Sequence, residues 1–383
     1  MKHLLLAAAA ASLVLPVYAA EPAPVPSPGE IAAAAPASDW IAIAPSDLLV
    51  MDLAPDARGK PRRVVIQLMP APFSQGWIGN IRKLAAAHWW DGTSINRVQD
   101  NYVTQWGDAT EKKPLPEGLV TVPESEYVTT SDAISEIPEA ATATDGPAEA
   151  AYKGAAARYA ADEAIGKKTK PDLAKALAEL EGLKMAVQRE LDARDRAAKL
   201  SINSTRTPKA PDGWHERDAY ASWVEIHKGW PVAAKQLSDE LWQYWPVHCY
   251  GMVGVGRNMS PDTGSGAELY TVIGQAPRHL DRNIAVIGRV ISGIEHLASL
   301  PRGTAALGFY ENAEQRVPIL SVRLASELPA AEQPKYEYLS TESLSFGRYT
   351  DARANRRDPF FIKPAGGVDI CNISVPIRLV AVK

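Results

Sequence analysis

The chain has 383 residues with 45 acidic against 41 basic side chains, a formal net charge of −4, so it carries no basic excess with which to hold a nucleic-acid backbone. Its hydrophobic fraction of 46% is that of a globular protein, and its length suits one large or two ordinary domains.

At the amino terminus, Met1-Lys2-His3 leads into the apolar run LLLAAAAASLVL and then into Pro16-Val17-Tyr18-Ala19-Ala20. This is the form of a secretory signal peptide over residues 1–19, cut before Ala20 and too short to persist as a spanning helix. The expectation is a periplasmic protein with no stable membrane insertion after signal removal; losing Lys2 takes the net charge from −4 to −5. Residues 20–43 open with AEPAPVPSPGEIAAAAPAS, whose Pro/Ala bias predicts a disordered leader.

From Asp47, two β-type runs flank Pro-Asp-Ala-Arg-Gly and predict a hairpin. Ile78, Ile81, Leu84 and Ala85 then recur at helical spacing, and RVQDNYVTQWGD, residues 97–108, returns to a strand-like pattern. Residues 109–247 read as an insert. Within it, Leu173, Leu177, Leu180, Val187 and Leu191 predict a helical hairpin over 147–200 that packs against its neighbour rather than forming a coiled coil. Trp214, Trp223, Trp230, Trp242 and Trp245 follow, and are expected to seal the insert onto the main domain.

Strand and turn chemistry resumes at residues 248–303, and RVPILSVRLA predicts a strand with Leu320, Val322 and Leu324 facing inward. Residues 329–383 form an extension, in which Arg353, Arg356 and Arg357 read as a solvated face and VDICNISVPIRLVAV as an edge strand. Cys249 and Cys371 both meet an oxidising compartment and are expected to pair, with two separately buried thiols as the alternative, because sequence does not fix the distance between them.

The two strand-rich segments, INRVQDNYVTQWGD and later GMVGVGR, GSGAELYTVIG and HLDRNIAVIGRV, together resemble the cyclophilin family of peptidylprolyl cis-trans isomerases. The resemblance covers residues 44–108 and 248–328. It implies a mainly β fold with α: a closed antiparallel barrel of about eight strands capped by helices, here with the inserted helical hairpin and the C-terminal extension. By the same resemblance Arg97 and Gln105 are the catalytic pair. Tyr102, Val103, Glu268, Tyr270, His279 and Leu280 line the slot for proline. Five positions depart from the family pattern: Glu268 stands for Gln, Ile284 for a late His, His279 for Trp, and Gly256-Arg257 for an Ala-Asn pair.

The chemistry agrees with that assignment. Rotation about an Xaa-Pro bond crosses a barrier of about 18–20 kcal/mol without breaking a covalent bond, so no metal, cofactor or nucleophile is expected. What is needed is a site that binds the twisted amide better than either planar form, and a guanidinium with donors in a fixed fork suits it. The glycines of GMVGVGRN are in the wrong order for a dinucleotide loop, the histidines show no ligand spacing, and there is no GxSxG elbow. The expected partners are proline-containing peptides and unfolded exported proteins. The alternative is a catalytically weak or inactive cyclophilin-like binding or chaperone module, favoured by Glu268, Gly256, Ile284 and the large insert.

Overall fold

The computed structural model describes residues 25–131, 214–238 and 241–380. The expected signal peptide (1–19) and helical hairpin (147–200) lie outside them. Among the described residues no helix is long and apolar enough to cross a membrane.

The described residues open with helix α1 (Pro28–Ala33) and strand β1 (Trp40–Ala42), then enter the hairpin of β2 (Leu48–Leu53) and β3 (Arg62–Leu68). The hairpin turn is built by Asp56, whose side chain accepts from the backbone N–H groups of Arg58 and Lys60, while Gly59 takes the left-handed conformation the turn requires. Helix α2 (Gln75–Ala86) leads to the short pair β4 (Ser94–Val98) and β5 (Val103–Gly107). After β6 (Thr129–Thr130), the described insert comprises β7 (Trp223–His227), β8 (Trp230–Gln236) and β9 (Trp242–Pro246). The second barrel segment supplies β10 (Met252–Val255), β11 (Leu269–Val272), β12 (Val286–Ser292), the one-turn helix α3 (Glu295–Ala298) and β13 (Val317–Leu324). The extension adds β14 (Tyr336–Leu339), helix α4 (Leu344–Ala354) and β15 (Ile377–Leu379).

Eight of these strands close into an antiparallel barrel in the order β10-β11-β5-β4-β13-β2-β3-β12. The interior is filled by alternate residues such as Leu49, Met51, Val64, Ile66, Trp106 and Leu269. Helix α2 turns Trp77, Ile78, Ile81, Leu84 and Ala85 onto this core, which is why its apolar residues recur at three and four.

Three sequence expectations are corrected. The leader is not disordered over 25–43: Ser27 and Glu30 form a reciprocal capping box around Pro28, so α1 is a defined helix, and β1 pairs with β14. The tryptophan-rich part of the insert is a four-stranded sheet, β6-β9-β8-β7. Trp214, Trp230 and Trp245 do pack into the same apolar cluster as the barrel, and Arg289 of β12 clamps the two together by donating to the Gly229 carbonyl while its guanidinium lies 4.3 Å over Trp230. Third, Leu320 is exposed at 55% and Ile319 is buried instead. The pairing of β13 with β2 shifts between Ile319 and Ser321, and a bulge adds one residue that reverses the inward-outward parity.

Cys249 and Cys371 form the disulfide, with their Cα atoms 5.0 Å apart, tying the start of the second barrel segment to the extension. β15 is the edge of a separate three-stranded sheet, β1-β14-β15. Of the three extension arginines, Arg356 pairs with Asp358 and Arg353 donates to the Asn372 carbonyl.

Candidate active site

Arg97, Gln105, Tyr270 and Gly254 stand on one rung running across β4, β5, β11 and β10: Arg97 is opposite Gln105, Gln105 opposite Tyr270, and Tyr270 opposite Gly254. Because strand side chains alternate, Trp106 and Leu269 point into the barrel while Val103, Gln105, Tyr270 and Val272 point outward. Outside the barrel, Val103, Tyr270 and Val272 form an apolar cluster of their own, with Tyr102, Leu280 and Ile284 packed against it. The exposed ring of His279 stacks beside Tyr102, centroids 6.4 Å apart. The structure thus brings Tyr102, Val103, Tyr270, His279 and Leu280 together, with Ile284 beside them.

A bulge between Ile95 and Arg97 re-aims β4 at this point. The Arg97 guanidinium lies between two rings, 5.7 Å from Tyr102 and 5.5 Å from Phe309. Its Nε donates to the Leu307 carbonyl at 2.7 Å, Nη1 to Gln105 Oε1 at 3.0 Å and Nη2 to Gln99 Oε1. Three of the five N–H donors of the fork are so used, which fixes its plane and leaves two for a bound amide. Burial lowers the Arg97 pKa, but an arginine remains protonated at any working pH.

Glu268 stands two residues before Tyr270 on the same outward face, its carboxyl lying where a side chain on Gly107 would have to go: a Cβ there would come within 1.9 Å of Oε1. Burial raises its pKa to about 7, against the pull of the Asp108 backbone N–H and the Gln105 and Asn96 side chains towards the charged form. Among the described residues Glu268 makes no ion pair with Arg97, and Gln105 stands between them.

The Gly-Asp that ends the motif is structural. Asp108 accepts from the backbone N–H groups of Thr110, Lys112 and Lys113; burial alone would raise its pKa, but these donors hold it at about 2. Arg257 folds its guanidinium onto the carbonyls of Asn283 and Asn258. Phe309, Gln99 and the Leu307 carbonyl were not found by sequence reasoning. Phe309 offers the one usable signal, an aromatic after a glycine in a turn-rich loop. A separate cleft of about 430 Å³ between α1 and α4, lined by Glu30, Ile31, Arg348 and Asp351 among others, shares no residue with this site.

A family model for cyclophilin type peptidyl-prolyl cis-trans isomerases matches residues 199–324. Among solved structures, the cyclophilin AquaCyp293 from Hirschia baltica aligns with 90% of this chain and 95% of its own at 16% identity and a TM-score of 0.53. The Mimivirus cyclophilin aligns with 78% of this chain and 92% of its own at 11% identity and a TM-score of 0.32. A cyclophilin-type isomerase of Cryptosporidium parvum, crystallised with the dipeptide Ala-Pro, aligns with 72% and 98% at 8% identity and a TM-score of 0.31. No curated protein matches by sequence. The family-model match is to a cyclophilin-type isomerase domain over residues 199–324, and AquaCyp293 shares the fold. The family-model match takes in the second barrel segment but not Arg97–Asp108, and the closed eight-stranded barrel is a cyclophilin fold.

Proposed function

We propose that the protein is a peptidylprolyl cis-trans isomerase acting on Xaa-Pro bonds of exported proteins in the periplasm. The observation that carries this reading is the rung of Arg97, Gln105 and Tyr270 beside an apolar slot: a fixed guanidinium with two uncommitted donors next to a space suited to a pyrrolidine ring.

In the twisted amide, resonance is lost and the proline nitrogen becomes pyramidal and basic. Arg97 donates towards that nitrogen and the adjoining carbonyl, an interaction stronger in the twisted form than in either planar isomer, and this difference lowers the barrier. Gln105 holds the guanidinium in plane. Tyr102, Val103, Tyr270 and Leu280 take the ring and thin out water, which strengthens the field of the arginine. Export and a periplasmic setting are supported by the amino-terminal signal pattern and by the disulfide.

The test is isomerisation of a Xaa-Pro tetrapeptide followed by NMR exchange. Arg97→Ala is expected to lower kcat/KM by roughly two to three orders of magnitude, the range for one preorganised donor, and Arg97→Lys not to restore it. Equal rates for wild type and Arg97→Ala at matched folding would leave the second reading, a weak or inactive binding module, which the Glu268 carboxyl beside Gln105 favours.

A further inference from the structure

We propose that Asp218, Asp281 and His248 are positioning residues of the proline slot: a buried chain from the insert through Arg278 holds the slot's rim and its floor, Tyr270, in one fixed relation. The inference rests on the isomerase reading of the slot and extends it to residues outside the barrel strands.

The chain can be followed atom by atom. Asp218, in the insert, takes two parallel bonds from Arg278, Nη1 to Oδ2 at 2.7 Å and Nη2 to Oδ1 at 3.0 Å. Arg278 Nε donates to Asp281 Oδ2 at 2.6 Å. Asp281 Oδ1 accepts from the His248 backbone N–H at 3.0 Å and from its Nδ1 at 2.9 Å. With Nδ1 protonated towards the carboxylate, Nε2 accepts from the Tyr270 hydroxyl at 2.9 Å. The side chains of all four linking residues are 1–5% exposed. Each polar atom on the path has a partner, the condition under which a buried network specifies one geometry.

The chain meets the slot at two points. Arg278 opens the 3-10 turn Arg278–Leu280, which presents His279 and Leu280 at the rim. Tyr270 is the floor, its ring parallel to that of His248 at 8°. Gly254, opposite Tyr270 on β10, makes room for the hydroxyl: a Cβ there would lie 2.3 Å from it. That Cβ would also lie 2.4 Å from the ring carbon Cζ, so the glycine accommodates the whole ring, and it is the His248 bond that holds the ring by its hydroxyl. The Tyr220 ring lies over Arg278, centroid 5.0 Å from the guanidinium carbon, so the insert covers the chain at its outer end.

The test combines a rate measurement with one that needs no activity. For an Ala-Ala-Pro-Phe tetrapeptide, Asp218→Asn and Tyr270→Phe are each expected to lower kcat/KM about five- to tenfold, mainly through KM, with kcat within about twofold. The double variant is expected to be no worse than the weaker single, since both cut one chain. An ordinary buried ion pair would lower thermal stability but leave the two rate effects multiplicative, and that result overturns the inference. In parallel, the Tyr270 hydroxyl proton is expected as a slowly exchanging NMR signal, lost in His248→Gln and shifted in Asp218→Asn. A signal unaffected by Asp218→Asn also overturns it, and this readout serves if that variant is too unstable for kinetics, with Asp218→Glu as its conservative substitute. A wild type that shows the signal and its coupling but does not isomerise the peptide overturns the isomerase reading instead.

Discussion

Glu268 gives the sharpest quantitative prediction, because its carboxyl is raised from an ordinary 4.5 to about 7 by burial on the face that carries Gln105 and Arg97. A carboxyl whose folded pKa lies above its unfolded value binds protons more tightly when folded. Its contribution to stability is therefore complete below about pH 4.5 and is lost as pH rises through about 7. The difference between the two pKa values sets a ceiling on the order of 3 kcal/mol at pH 9, at about 1.4 kcal/mol per pH unit. Glu268 is partly open to solvent, which reduces the expected loss to about 1–2 kcal/mol. Glu268→Gln removes the charge and keeps the shape. Urea denaturation of both proteins at pH 5, 7 and 9 is expected to show the variant gaining on the wild type by about 1–2 kcal/mol between the first and last pH. His215 and His227, both lowered by burial, titrate identically in the two proteins and cancel in the difference. The variant is also expected to isomerise a Xaa-Pro peptide severalfold faster than wild type at pH 8 and equally at pH 5.5, because an ionised carboxylate next to Gln105 weakens the field of Arg97 at the amide. A stability difference that stays constant over this pH range refutes the reasoning and places Glu268 in water.

Reducing the Cys249–Cys371 disulfide releases a loop spanning 122 residues, and chain entropy assigns that closure on the order of 4–5 kcal/mol. Cys371→Ser is expected to lower the urea midpoint by a corresponding amount while the far-UV dichroism of the barrel persists. The bulge in β13 predicts opposite sensitivities for adjacent residues: Leu320→Ser is expected to change stability by less than about 0.5 kcal/mol, whereas Ile319→Ala costs about 2–4 kcal/mol. Equal losses would place both side chains against the core and remove the bulge.

What the sequence made legible follows from how local each contact is. Arg97 and Gln105 are eight residues apart across one tight strand pair, so their spacing alone implies that they face each other. Tyr102 and Val103 sit on the turn and strand between them, and Glu268 and Tyr270 share a face because strand side chains alternate. The Leu307 carbonyl that holds Arg97 Nε is 210 residues away and, being backbone, leaves no side-chain signature. Parity along β13 failed for a related reason: Leu320 looks inward under strict alternation, and nothing in RVPILSVRLA announces the extra residue that turns it out. The α1 cap was legible and was hidden by composition, since Ser27-Pro28-Gly29-Glu30 is a complete capping box inside an Ala/Pro-rich run. The tryptophans of β7, β8 and β9 gave the seal against the barrel but not the strands, because large aromatics suit a buried helix face and a sheet equally well. The same distinction separates the two halves of the site. The rung of Arg97, Gln105 and Tyr270 is set by pairing within and between short strands. The contacts behind it join residues farther apart, Asp218 to Arg278 across 60 residues and His248 to Tyr270 across 22, and the first exists only once the insert has docked. The Arg97–Gln105 pair can therefore be read from spacing while the buried chain behind Tyr270 cannot, and the insert that looked like an appendage in sequence supplies Asp218 to it.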